Sequence, residues 1–122
     1  MNTITATFVQ NRTTWLLLSF GLAATIAALT LMPQASMPVG PQGVDKLYHM
    51  IAFAALIFPT AMLRPKKCLR FGCLAILYGG IIEAIQPVFG RSADMSDFWA
   101  DGLGVAMGIF LGQAARRIFF ER

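Results

Sequence analysis

Four stretches of the chain are apolar, and short polar segments separate them. Trp15–Met32 contains no charged residue and is bounded by Arg12 on one side and by Pro33, Pro38 and Pro41 on the other. Leu47–Leu63 is apolar apart from His49. Phe71–Phe89 carries one charge, Glu83, and Phe98–Ala115 carries one, Asp101. At about 1.5 Å per residue, a helix over each run spans most of a hydrocarbon core roughly 30 Å thick. A bilayer leaves no water for backbone N–H and C=O groups, so helices are the expected form of such runs. The period-two alternation of a membrane barrel strand is not evident. The pattern predicts an all-α integral membrane bundle of four transmembrane helices at about 15–32, 47–63, 71–89 and 98–115, with residues 1–122 as one domain.

Composition agrees with this pattern and removes the alternatives. Hydrophobic residues make up 57% of the chain and charged residues 13%, with a mean hydropathy of +0.63. A soluble domain carries charge on roughly a quarter of its residues, so a soluble monomer is not expected. Disorder requires low hydrophobicity and high net charge, which is the opposite balance. Four bilayer-length helices use on the order of 80 residues, which leaves room for tails and turns but no separate soluble domain. The first run is longer than the roughly 7–15-residue apolar core of a secretory signal. Arg12 is a thin basic flank, so a retained helix is expected despite the small residues Ala35 and Ser36 after Pro33.

The few charges give the orientation. Arg12, Arg64, Lys66, Lys67, Arg70, Arg116, Arg117 and Arg122 fall on one side of the predicted bundle, and Lys46 and Arg91 on the other. The excess of Lys and Arg marks the cytoplasmic side, so both termini are expected to be cytoplasmic and the 33–46 and 90–97 loops outside. The net charge of +4 is thus a topology signal. No nucleic-acid partner is expected, because no aromatic-interleaved basic patch accompanies it. Cys68 and Cys73 lack the spacing of a metal site and read as unpaired structural thiols.

Acidic residues gather at the other end. Asp45, Glu83, Asp94, Asp97 and Asp101 fall at or near the outer face, with only Glu121 cytoplasmic, and the sole histidine, His49, joins the five. Asp45 and His49 are four apart and share a face at the start of the second helix. Glu83 and Gln86 are three apart near the outer end of the third. Glu83 lies roughly 9 Å inside that end and should face the bundle, protonated or paired with Arg91, Lys46 or His49. Asp97 can cap the fourth helix, and Asp94 with Asp97 suits its positive dipole end. Asp101 is one turn deeper and needs a partner from another helix. A catalytic reading assigns His49 as acid or base, oriented by Asp45, with Glu83 as its complement. Lys46, Gln86, Arg91, Asp97 and Asp101 are the candidate ligand-binding residues, with Lys46 and Arg91 suited to phosphate or carboxylate. A lone histidine among hard oxygen ligands is a weak metal signature, so no metal and no cofactor is assigned. The same residues also suit a structural clasp that ties three helix ends, and that alternative stays open.

Glycine marks packing. Ala100, Gly104, Gly108 and Gly112 form a small-xxx-small stripe on the fourth helix, and Gly72, Ala75, Gly79 and Gly80 lie on the third. Such stripes let helices approach closely in lipid. The Gly104–Gly108–Gly112 face is expected to meet the third helix, an internal contact being preferred, or else another membrane subunit. Trp15 and Trp99 fall at the expected membrane interfaces, where belt residues sit.

The motif order resembles one family. Asp45-Lys46-x-x-His49, Gly79-x-x-x-Glu83-x-x-Gln86, Gly90-Arg91-Ser92 and Asp97-x-x-x-Asp101-x-x-Gly104 resemble the VanZ-like membrane proteins over about residues 44–112. The family pattern usually has Asn where this chain has Asp101. The resemblance implies a multi-helix protein of the bacterial inner membrane and, weakly, a part in glycopeptide resistance. It does not supply a reaction. Two functions of different classes follow. One is a site that binds or modifies a lipid or envelope head group, with membrane lipids as partners. The other is a non-catalytic small subunit or assembly factor of a larger membrane complex.

Overall fold

Each apolar run forms a helix in the computed structural model, which describes residues 11–33, 40, 41 and 43–121 together with Thr3 and Thr7. The elements are α1 (Arg12–Thr30), α2 (Val44–Leu63), a 3₁₀ turn (Pro65–Lys67), α3 (Cys68–Ile85), a second 3₁₀ segment (Gln86–Phe89) and α4 (Met95–Phe120). Ala35, Ser36, Pro38 and Arg122 lie outside the described residues. Every helix is long and apolar enough to cross a membrane.

The helix limits differ from the apolar runs because polar first turns are also helical. Gly43, at φ 87°, starts α2 three residues before Leu47. Asp94 caps α4: its side chain accepts the Ser96 N–H, and the helix begins at Met95. Asp97 was the expected cap and is instead buried in the first turn. At its other end α4 continues through the basic residues to Phe120. Gly90, at φ 75°, closes the 3₁₀ segment after α3, with its N–H facing the Gln86 and Pro87 carbonyls. Only glycine takes that conformation readily, and it turns the chain toward α4.

Side-chain contacts set the topology. Near the chain's two ends, the Trp15 indole N–H donates to Thr60 Oγ1 at 3.0 Å, and Arg116 Nη1 donates to the Met62 carbonyl at 3.0 Å. The start of α1, the α2–α3 turn and the end of α4 therefore share one end of an up-down-up-down bundle. Tyr78 donates to the Ala23 carbonyl, and Gln86 Nε2 donates to the Thr30 carbonyl at 3.2 Å, so α1 and α3 run side by side. The core between the helices is Ile26, Phe53, Leu56, Ile57, Ala75, Ile82 and Val105. Outward-facing residues such as Phe20, Leu69 and Phe110 are more than two-thirds exposed. That is an inside-out surface in water and an ordinary one against lipid tails.

Two sequence expectations are corrected. The Gly104–Gly108–Gly112 stripe is buried inside the chain, but it packs on α2 and not on the third helix, where it was expected. A Cβ at Gly104 would strike the Met50 carbonyl, one at Gly108 the Ala54 carbonyl, and one at Gly112 Ala61 Cβ at 2.6 Å. The contacts advance together along α2 and α4, so these helices are parallel and packed backbone to backbone. Trp15 is not a belt residue. It is 1% exposed, stacks edge-on with Phe71, and carries the Lys67 ammonium 5.1 Å above its ring. Trp99 is exposed, at 71%.

Candidate functional site

Close packing of α2 on α4 brings His49 against Asp101. His49 Nδ1 lies 2.8 Å from Asp101 Oδ1, and both residues are buried, Asp101 completely. With Asp101 ionised, its carboxylate can only accept, so the ring donates Nδ1–H and keeps Nε2 on its far side. There Nε2 stands 3.7 Å from Asp97 Oδ2, beyond hydrogen-bond reach. Asp101 is thus the partner from another helix that its depth required. Gly79 of α3 makes room for it, because a Cβ there would lie 2.7 Å from Asp101 Oδ2.

Glu83 enters the same region from α3 and is 8% exposed. Its Oε2 accepts the Asp94 N–H at 3.1 Å. Its Oε1 is buried with no hydrogen-bond partner among the described residues. One donor atom from each of His49, Glu83 and Asp97 lies within 4.8 Å of the other two, a group able to hold a metal ion. Glu83 also lines a groove of about 450 Å³ whose walls include Gly80, Ala84, Ala93, Met95 and Phe98. Apart from Glu83 and Asp94, that lining is apolar.

Lys46 closes the cluster on its outer side. Its ammonium lies 3.2 Å from Asp94, 3.5 Å from Asp97 and 3.6 Å from Asp45. Asp94, outside the helical spans, is held down to about 2, mainly by hydrogen bonds from Ser96 and then by Lys46.

The remaining sequence candidates fall elsewhere. Asp45 is half-exposed and paired with Lys46, so the role of orienting His49 passes to Asp101. Arg91 Nη1 donates to the Leu29 carbonyl at 3.4 Å, and neither Arg91 nor Lys46 pairs with Glu83 among the described residues. Gln86 is buried and ties α3 to the end of α1 through Thr30. The site therefore offers carboxylates and a ring nitrogen, and its cations are already engaged. The groove residues Ala84, Met95 and Phe98 were missed from the sequence, and Gly80 was read there only as a packing residue. Gly80, three residues before Glu83 and packed on Phe98, was the available signal.

The family model described as VanZ/LLP1 matches residues 2–116. No curated protein and no solved structure matches the chain.

Proposed function

On the premise that the chain belongs to the VanZ/LLP1 family and is a multi-pass membrane protein, we propose that its acidic end receives the polar head of a lipid or other envelope amphiphile. The observation that carries this reading is Glu83. A buried carboxylate oxygen without a partner is costly, and here it belongs to a residue that lines an otherwise apolar groove. Apolar walls with a few convergent polar groups are the usual make-up of a ligand site. Gly80, Ala84, Met95 and Phe98 suit an alkyl segment, and Glu83 with the Asp94 end suits a head group that carries or brings positive charge.

The groove lies at the end opposite the basic residues, so the positive-inside rule puts it at the outer face of a bacterial inner membrane, with cytoplasmic termini. The alternative of a non-catalytic subunit or assembly factor drew on the glycine stripe, which α2 already occupies. Native mass spectrometry of gently purified protein tests the reading. Ala84 is exposed on the groove wall, so Ala84→Trp fills the groove without entering the core. The expected result is a co-purifying lipid that is lost in Ala84→Trp at an unchanged unfolding midpoint. No lipid on the parent protein, or equal lipid on both, contradicts it.

A further inference from the structure

We propose that His49, Glu83 and Asp97 form a binding site for one divalent metal ion, with Asp101 as the residue that positions the histidine. The site's location rests on reading the acidic end as a ligand site, but the ion can be measured without any lipid.

Three observations carry the inference. The three donors lie within 4.8 Å of one another, and a cation with bonds of roughly 2.0–2.4 Å spans ligand separations up to about that distance. The donors also face one another without bonding. His49 Nε2 and Asp97 Oδ2 are 3.7 Å apart, and Glu83 Oε1 has no hydrogen-bond partner among the described residues. Each group has a partner on another side, Asp101 for His49, Lys46 for Asp97 and the Asp94 N–H for Glu83, and a cation between the three would take up the lone pairs and negative charge they leave toward one another. Finally, the Nδ1–H to Asp101 bond at 2.8 Å fixes the tautomer and aims Nε2. A ligating histidine almost always donates its other ring N–H to a carboxylate, a backbone carbonyl or a water, and Asp101 is such a partner.

One nitrogen and two carboxylates are a mixed, moderately hard set. It suits Zn²⁺ or Mn²⁺ and is wrong for a thiolate-seeking ion. Three protein ligands leave at least one coordination position for another group. Because Glu83 also lines the groove, that position can face it, and a phosphate or carboxylate oxygen of a head group could complete the shell. The acidic end would then take an anionic head group through the ion, although Lys46 is already surrounded by carboxylates.

The test uses the full chain in detergent, stripped with a chelator and dialysed separately against ZnCl2 and MnCl2. Mass-spectrometric metal analysis and thermal unfolding are the readouts. The expected result is about one ion per chain for one of the two metals, with a raised unfolding midpoint. Glu83→Gln and Asp97→Asn are near-isosteric, and each should lose the ion and the metal-dependent shift. Asp101→Asn should keep the ion, since an amide oxygen still accepts Nδ1–H, while Asp101→Ala should weaken it about 10–100-fold. Glu121→Gln, at the far end, should behave as the parent. No stoichiometric ion with either metal, or an undiminished ion in both Glu83→Gln and Asp97→Asn, overturns the proposal. Lipid retained without metal overturns the ion alone. Metal retained without lipid overturns the head-group reading and leaves the ion site standing.

Discussion

The two ends of the bundle handle charge in opposite ways. At the basic end, Arg116 bridges the Met62 carbonyl and Glu121, and the Lys67 ammonium rests over the Trp15 ring. These long side chains keep their charges near solvent while their stems cover the helix ends. At the acidic end, Glu83, Asp97 and Asp101 are drawn into the bundle together with His49. Holding a surface cation in place costs little, whereas burying a carboxylate costs several kcal/mol unless something compensates. The first arrangement is enough to orient a membrane protein. The second needs compensation, and Glu83 Oε1 and Asp101 Oδ2 have no hydrogen-bond partner among the described residues.

The comparison can be broken most severely at the packing that creates it. In Gly108→Leu the new side chain meets the Ala54 carbonyl and Ile57, and the parallel α2–α4 contact cannot stay closed. A loss of about 4 kcal/mol or more is expected, read as disappearance of the folded species in thermal unfolding. His49 and Asp101 come next. Asp101→Ala leaves the imidazole without its acceptor and should cost about 3–5 kcal/mol. Asp101→Asn keeps an acceptor and should cost about 1 kcal/mol. Equal losses in the two variants would mean that the charge, rather than the hydrogen bond, holds His49.

Effects outside the buried cluster are smaller. Arg116→Ala removes a bond to Met62 and a part-exposed ion pair, and a change of about 1 kcal/mol or less is expected. Asp94 gives a pH signature. Its folded-state value is lowered from 3.8 to about 2, so its contribution is present above pH 3.8 and is lost as pH falls from there through 2. An acid titration of unfolding should lose that inflection in Asp94→Ala. The rest of the transition should change little.

The helices were legible in the sequence because four apolar runs of bilayer length, each with at most one charged residue, admit little else. Their ends were less so. The first turns of α2 and α4 contain Asp45, Lys46, Ser96 and Asp97, and they are helical because Gly43 and Asp94 cap them. The clustering of His49 with the acids could be read from the charge distribution. The pairing within the cluster could not, since the His49–Asp101 bond depends on α2 and α4 running parallel in a register set by Gly104 on Met50 and Gly108 on Ala54. Periodicity along one helix gives a face but no register against a neighbour. Trp15 misled for a related reason: its place near a helix end suggests an interface, and only the fold brings Thr60 and Phe71 around it.

Glu83→Gln tests most directly whether the acidic end is built for a ligand. In metal-free detergent, glutamine keeps an acceptor for the Asp94 N–H and removes a negative charge facing Asp97. If the carboxylate is retained for a ligand, the variant should unfold at the same temperature as the parent or higher, since site residues are commonly held against stability. A midpoint lowered by the equivalent of about 2 kcal/mol or more would show that Glu83 is part of the structural fastening, and would contradict the account.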